Sequence, residues 1–238
     1  MLRFIITIIL AFSVLIIKGQ ISQGGMPLKV PVLKSRGIPV IEMPRVNNAE
    51  LIRLAEEERK AEPFIKSFRF AHSFDVRISP ETEGIWVSDI GGYDVWILKL
   101  RSADALSIGV TFNEFRLPDG TRLFLFNEKE NYYLGAFTSV NNKKFRKFGV
   151  SPVPGDEITI QYEVPAGLAE RHNFVITKVN HDFTGLLDFD RYRPSGKLPG
   201  DCHIDINCEI AKDWNDVKDA VCRFVVNSDI CTGTLVNN

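Results

Sequence analysis

The side chains able to do chemistry are unevenly spread along the 238 residues. All four cysteines, Cys202, Cys208, Cys222 and Cys231, lie in the C-terminal part, and none precedes them. Their spacing is not C-x-x-C and brings no second ligand pair, so no zinc site is expected. His203 beside Cys202 reads as a surface histidine, and no metal or other cofactor is expected. In an exported chain such a cluster forms disulfides, in any of three pairings that the spacing does not decide between.

The remaining histidines are His72, His172 and His181, and neither H-E-x-x-H nor G-x-S-x-G accompanies them. His72 falls on the apolar side of an alternating run and is expected to be a packed core histidine. His181-Asp182 places a base beside a carboxylate, but neighbours on a strand point to opposite faces, so a structural role is expected. Asp188 and Asp190 in L-D-F-D-R would face one way on an extended chain, as in a glycosidase pair or a calcium loop. Arg191 and Arg193 beside them make charge pairing on a solvated linker the expected role. Trp86, Trp96, Tyr132 and Tyr133 would suit a sugar-binding face, but alternating aromatics more often fill a β core. No self-contained catalytic site follows, and no catalytic residue is assigned.

The elements that position these residues change character along the chain. Arg3 precedes an apolar run from Phe4 to Ile17, shorter than the ~20 residues that a spanning helix needs. Residues 1–19 therefore read as a secretory signal peptide cut near Gly19, with an uncleaved anchor as the competing reading. Residues 20–62 follow as a linker and short helix. Ile21 to Met43 is Pro-rich and extended or edge-strand in character, and a helix capped at Asn48 ends at Pro63. From Phe68 the period becomes two, and seven or eight short strands separated by Pro, Gly, Asn and Asp turns fill residues 63–185. This pattern predicts a mainly β fold with an antiparallel β-sandwich. Residues 186–198 read as an inter-domain linker. A composition of 45% hydrophobic and 25% charged residues with net charge -1 carries no basic excess for nucleic acid or an anionic membrane.

The segment G-D-C-H-I-D-I-N-C-E from Gly200 to Glu209, followed by A-V-C-R-F-V-V-N-S-D-I-C-T-G-T-L-V-N-N, resembles the opening of the mature domain in secreted bacterial trypsin-like serine endopeptidases of the lysyl endopeptidase type. The upstream stretches L-P-D-G-T-R-L-F-L-F and G-A-F-T-S-V-N-N-K-K resemble the propeptide of such precursors more loosely. The resemblance implies that residues 199–238 begin a trypsin-like β-barrel, and that the catalytic His, Asp and Ser belong beyond Asn238. These act as a unit, so the chain alone is expected to be inactive. It also implies cleavage after lysine, and Lys197-Leu198 is then the expected maturation bond, since Pro194 blocks Arg193. The cysteines of this segment would pair with later ones, and Cys222 has no counterpart in the resemblance.

The reading is an N-terminal portion of a secreted serine endopeptidase zymogen. Its propeptide packs on its own peptidase domain, and its substrates are proteins or peptides, with no nucleic-acid partner and no membrane partner after signal cleavage. The alternative is an extracellular β-sandwich module for carbohydrate or protein with a vestigial peptidase-like tail.

Overall fold

The computed structural model describes residues 22–31, 37–61, 67–168, 174–187, 209–218 and 220–234. The signal-like run, His172, Asp188, Asp190, Lys197, Leu198, Cys202, His203 and Cys208 lie outside the described residues.

The chain is mainly β, with several sheets and none closed. A six-stranded sheet is built from β1 (Val40–Glu42), β4 (Ile85–Ile90), β5 (Tyr93–Arg101), β7 (Arg122–Asn127), β8 (Tyr132–Phe137) and β11 (Glu157–Pro165). A five-stranded sheet holds β3 (Ala71–Ile78), β6 (Ser107–Asn113), β9 (Phe148–Gly149), β10 (Val153–Pro154) and β12 (Val175–Asp182). A three-stranded sheet joins β2 (Phe68–Arg69) to β13 (Val221–Val226) and β14 (Asp229–Thr234). Among the described strands the pairing is antiparallel, except that β1 runs parallel to β5 with Val40 opposite Lys99. That edge position suits the Pro-rich segment that delivers it.

Alternation along the strands places one large apolar cluster where the six- and five-stranded sheets meet. Trp96, Leu98 and Leu100 of β5 and Ile158, Ile160 and Tyr162 of β11 share it with Ile108, Val110 and Phe112 of β6 and Ile176 of β12. Phe174 closes its aromatic part, edge-on to Trp96, Phe112 and Tyr162. The expected aromatic core is largely present. Trp96 is fully buried and donates from Nε1 to the Glu83 carbonyl (2.7 Å), and Trp86 and Tyr132 pack against the same cluster. Tyr133 does not; it stacks on Phe126 on the opposite face of the sheet. Truncating one such core aromatic would cost about 3–5 kcal/mol, which gives these residues a packing role without any ligand.

Helix α1 (Asn48–Ala61) starts one residue earlier than the sequence implied. Asn47 is the cap, with its Oδ1 accepting from the Glu50 amide (3.3 Å) and its carbonyl from Leu51 (3.0 Å). The helix buries Leu51 and Ala55 against Phe183 and leaves its Glu50–Arg53–Glu57 pairs in solvent. The long strand expected from Phe68 is broken at Phe70, which separates β2 from β3 and sends β2 into a different sheet. His72 is half-buried with its ring edge-on to Phe74, so it is not a fully packed core residue.

Candidate functional site

The last described segment is a hairpin. V-C-R-F-V-V is rich in β-branched and aromatic residues that favour strand, and Asn227-Ser228 closes the turn between Val226 and Asp229. Asn227 adopts a left-handed conformation (φ 53°) that asparagine tolerates better than most residues. The break at Phe70 is where this turn lands. The amides of Phe70 and Ala71 both donate to the Ser228 carbonyl (2.9 and 3.2 Å). Asn180 of β12 donates its Nδ2 to the Asn227 carbonyl (3.0 Å) while its Oδ1 accepts from the Ser73 hydroxyl (2.5 Å). Beyond the turn, Asp229 pairs with Arg69 and Ile230 with Phe68. Ile230 then packs on Phe70, Ala71 and Leu186. The hairpin is thus added as new strands to the short edge β2, and that edge is tied to α1 through the bidentate Arg69–Glu58 pair (2.9 and 3.0 Å).

Cys222 and Cys231 sit on these two strands and are free thiols. The register sets Cys222 opposite Gly233 and Cys231 opposite Phe224, so the cysteines are two residues out of alignment. The pairing of Cys222 with Cys231, one of the three that the sequence allowed, is not formed. Cys222 Sγ instead lies 3.5 Å from the Gly233 carbonyl. The Phe224 ring covers Gly233 so closely that an added Cβ would sit 2.0 Å from it, so glycine is required there while the ring holds that place. Val221, Phe224, Val225 and Val226 remain 43–62% exposed, an unusual density of bare apolar surface for so short an element.

His181 and Asp182 are both fully buried and diverge, as strand neighbours must. Asn48 donates its Nδ2 to the Asp104 carbonyl (2.8 Å), leaving Oδ1 to accept from His181 Nε2 (2.8 Å). On this network Nδ1 is the unprotonated nitrogen, accepting the Ser102 hydroxyl proton at 2.8 Å. Burial and the facing His72 hold the His181 pKa below its ordinary value, against the opposing pull of Asp182 and Asp104. The bonding imitates a serine nucleophile and its base, but Ser102 and His181 are both 0% exposed and no substrate reaches them. Asp182 accepts from the Ser107 hydroxyl (2.7 Å) and from the amides of Thr184, Gly185 and Leu186 (each 2.8 Å). These are fold-fixing contacts. Among the described residues no cluster of His, Cys, Asp or Glu could hold a metal ion.

Sequence reasoning missed a second polar centre. On the outer face of the six-stranded sheet, Glu163 is 0% and Gln161 2% exposed. Glu163 Oε2 lies 2.6 Å from Arg122 Nη2, and Arg122 in turn stacks over the Tyr93 ring at 4.6 Å. Arg122 Nε is buried without a hydrogen-bond partner. The signal available was a Gln and a Glu at alternate positions of E-I-T-I-Q-Y-E-V-P, which reads equally well as an ordinary solvent face.

Residues 197–238 match the family model described as the lysyl endopeptidase C-terminal domain, a stretch that contains all four cysteines and the hairpin. This supports a peptidase-related protein of the lysyl endopeptidase type and does not favour a binding module with a vestigial tail. No solved structure matches the chain.

Proposed function

We propose that this chain is the signal, propeptide and opening strands of a secreted serine endopeptidase zymogen that hydrolyses peptide bonds after lysine in its full-length form. In this reading, residues 63–185 are an antiparallel β-sandwich propeptide, and residues 199–238 open a trypsin-like β-barrel. The Ser-His-Asp triad belongs to later sequence, so the residues here hold and do not cut. The observation that carries the reading is the addition of β14 to β2, with its turn gripped by Asn180 and by the amides of Phe70 and Ala71. A propeptide that has to steady the first strands of its enzyme needs such a contact, and the match over residues 197–238 supplies the enzyme class. The bare valines and Phe224 of the hairpin would be covered by the rest of the barrel, and its cysteines would pair there.

The matched segment begins at Lys197, the residue preceding the proposed maturation bond. A lysine-directed enzyme releases itself by cutting Lys197-Leu198, leaving Leu-Pro-Gly-Asp ahead of Cys202. N-terminal sequencing of the mature enzyme, produced from the full-length precursor, is expected to read Leu198 first. Any other start overturns self-processing at this bond.

A further inference from the structure

The outer face of the six-stranded sheet carries a polar apparatus that the fold alone does not need. Buried carboxylates and amides are retained only where partners meet them. Here the partner of Glu163 and Gln161 is the backbone of the N-terminal arm, residues 22–31. Glu163 Oε1 accepts from the Leu28 amide (2.7 Å), and Gln161 Nε2 donates to the Leu28 carbonyl (2.9 Å). The same two side chains are joined by Gln161 Nε2 to Glu163 Oε1 (2.9 Å), which fixes their spacing. Both main-chain groups of one residue are therefore read by a preformed donor–acceptor pair.

A second contact lies on β8. The bulge between Leu134 and Phe137 leaves Ala136 without regular pairing to β7. The arm fills that gap, with Gln23 N donating to the Ala136 carbonyl (2.9 Å) and Ala136 N to the Gly24 carbonyl (3.0 Å). The Ser22 hydroxyl donates to the Gly135 carbonyl.

The two sides of this contact are unequal. Gln161 and Glu163 are buried, whereas the arm stays at the surface, with Met26 60% exposed and no arm residue in any core cluster. The arm is held by five polar contacts, with Pro27, Leu28 and Val30 half-buried and none of them part of a core cluster. Segments held in that way open at low free-energy cost.

The geometry points to a peptide-binding face on this sheet, occupied in cis by residues 22–31. Its ligand is an extended peptide presenting the N–H and C=O of an apolar residue just after a proline, with glycines a few positions earlier. Gly24 and Gly25 turn the arm between the two contacts at φ 73° and 90°, in the left-handed region that β-branched residues avoid. Side chains added there would meet nothing within 4 Å, so their only effect is on the arm's path. This inference is independent of the peptidase reading.

The test uses the full chain and a fluorescent peptide of residues 22–31. Tethering gives the resident arm an effective concentration near millimolar, so free peptide is expected to bind the wild type weakly. The double substitution Gly24→Val, Gly25→Val should lift the arm and raise peptide affinity at least tenfold, read by fluorescence anisotropy. Adding Gln161→Leu to that variant should lower affinity at least tenfold again. Hydrogen exchange at Ala136 should quicken when the arm is lifted and slow when peptide is added. Leu28→Pro, which removes the N–H that Glu163 accepts, should behave like the double substitution. Fast exchange at Ala136 without peptide binding, or protection that persists in both variants, overturns the proposal.

Discussion

The arm at residues 22–31 and the hairpin at 221–234 are both laid onto the same scaffold, but by opposite means. The hairpin finds a sheet edge, where unpaired backbone is already available, and its contact is made largely of main-chain groups, with the Asn180 side chain helping. The arm makes two main-chain bonds to Ala136 on the edge strand β8 and then crosses the sheet face, where the backbone is already spent on neighbouring strands. Polar side chains must then do the reading, and Gln161 and Glu163 are buried for that purpose. An edge can receive a strand with little specialised sequence. A face can do so only by carrying groups that become a liability when the guest leaves.

That contrast predicts its own order of effects. The largest belongs to the face. Glu163→Leu leaves Arg122 and the Leu28 amide without their acceptor, and removing one partner of a buried pair typically costs about 3–5 kcal/mol. A denaturant titration should show that loss in the midpoint. A change below about 1 kcal/mol would mean the face is readily solvated and the contrast with the edge is lost.

Next comes Asn180→Ala, which strands the Asn227 carbonyl and the Ser73 hydroxyl for about 1–3 kcal/mol. The damage should be local, with hydrogen exchange quickening at Phe70 and Ala71 while β5 and β11 stay protected. Unchanged exchange at those two amides would assign the docking to strand pairing alone and sharpen the contrast in the other direction.

The smallest effect is one of pH and concerns neither guest. His181 is held below its ordinary pKa, first by burial and then by His72, so the unfolded chain binds the proton more readily than the folded one. Stability should be full above about pH 6.5, the unfolded value, and decline as pH falls below it. His181→Gln should flatten the histidine part of that decline. An undiminished slope in the variant would place the proton elsewhere.

Much of the scaffold was legible because its cause is local. Alternation in R-L-F-L-F-N and E-I-T-I-Q-Y-E-V-P marks β7 and β11, and the turns between strands carry Gly, Pro and Asn. What escaped depends on distant partners. Gln161 and Glu163 carry no local signal, because nothing near them in sequence announces an arm more than a hundred residues upstream. The break at Phe70 is equally silent, since F-R-F-A-H-S-F alternates smoothly and only the arrival of Ser228 explains why two amides turn away. The divergence of His181 and Asp182 was legible, because it follows from strand geometry alone.

The grip on the hairpin turn also has a schedule. Its groups come from Phe70 and Ala71, from Asn180, and finally from Asn227 and Ser228. A ribosome adds about 5–20 residues per second, so the receiving pair waits unfinished while β12 is made. The site is complete for only a few seconds before the turn it must catch emerges. Codon-level slowing between these points would lengthen that wait and leave the edge of β2 open to the wrong strand.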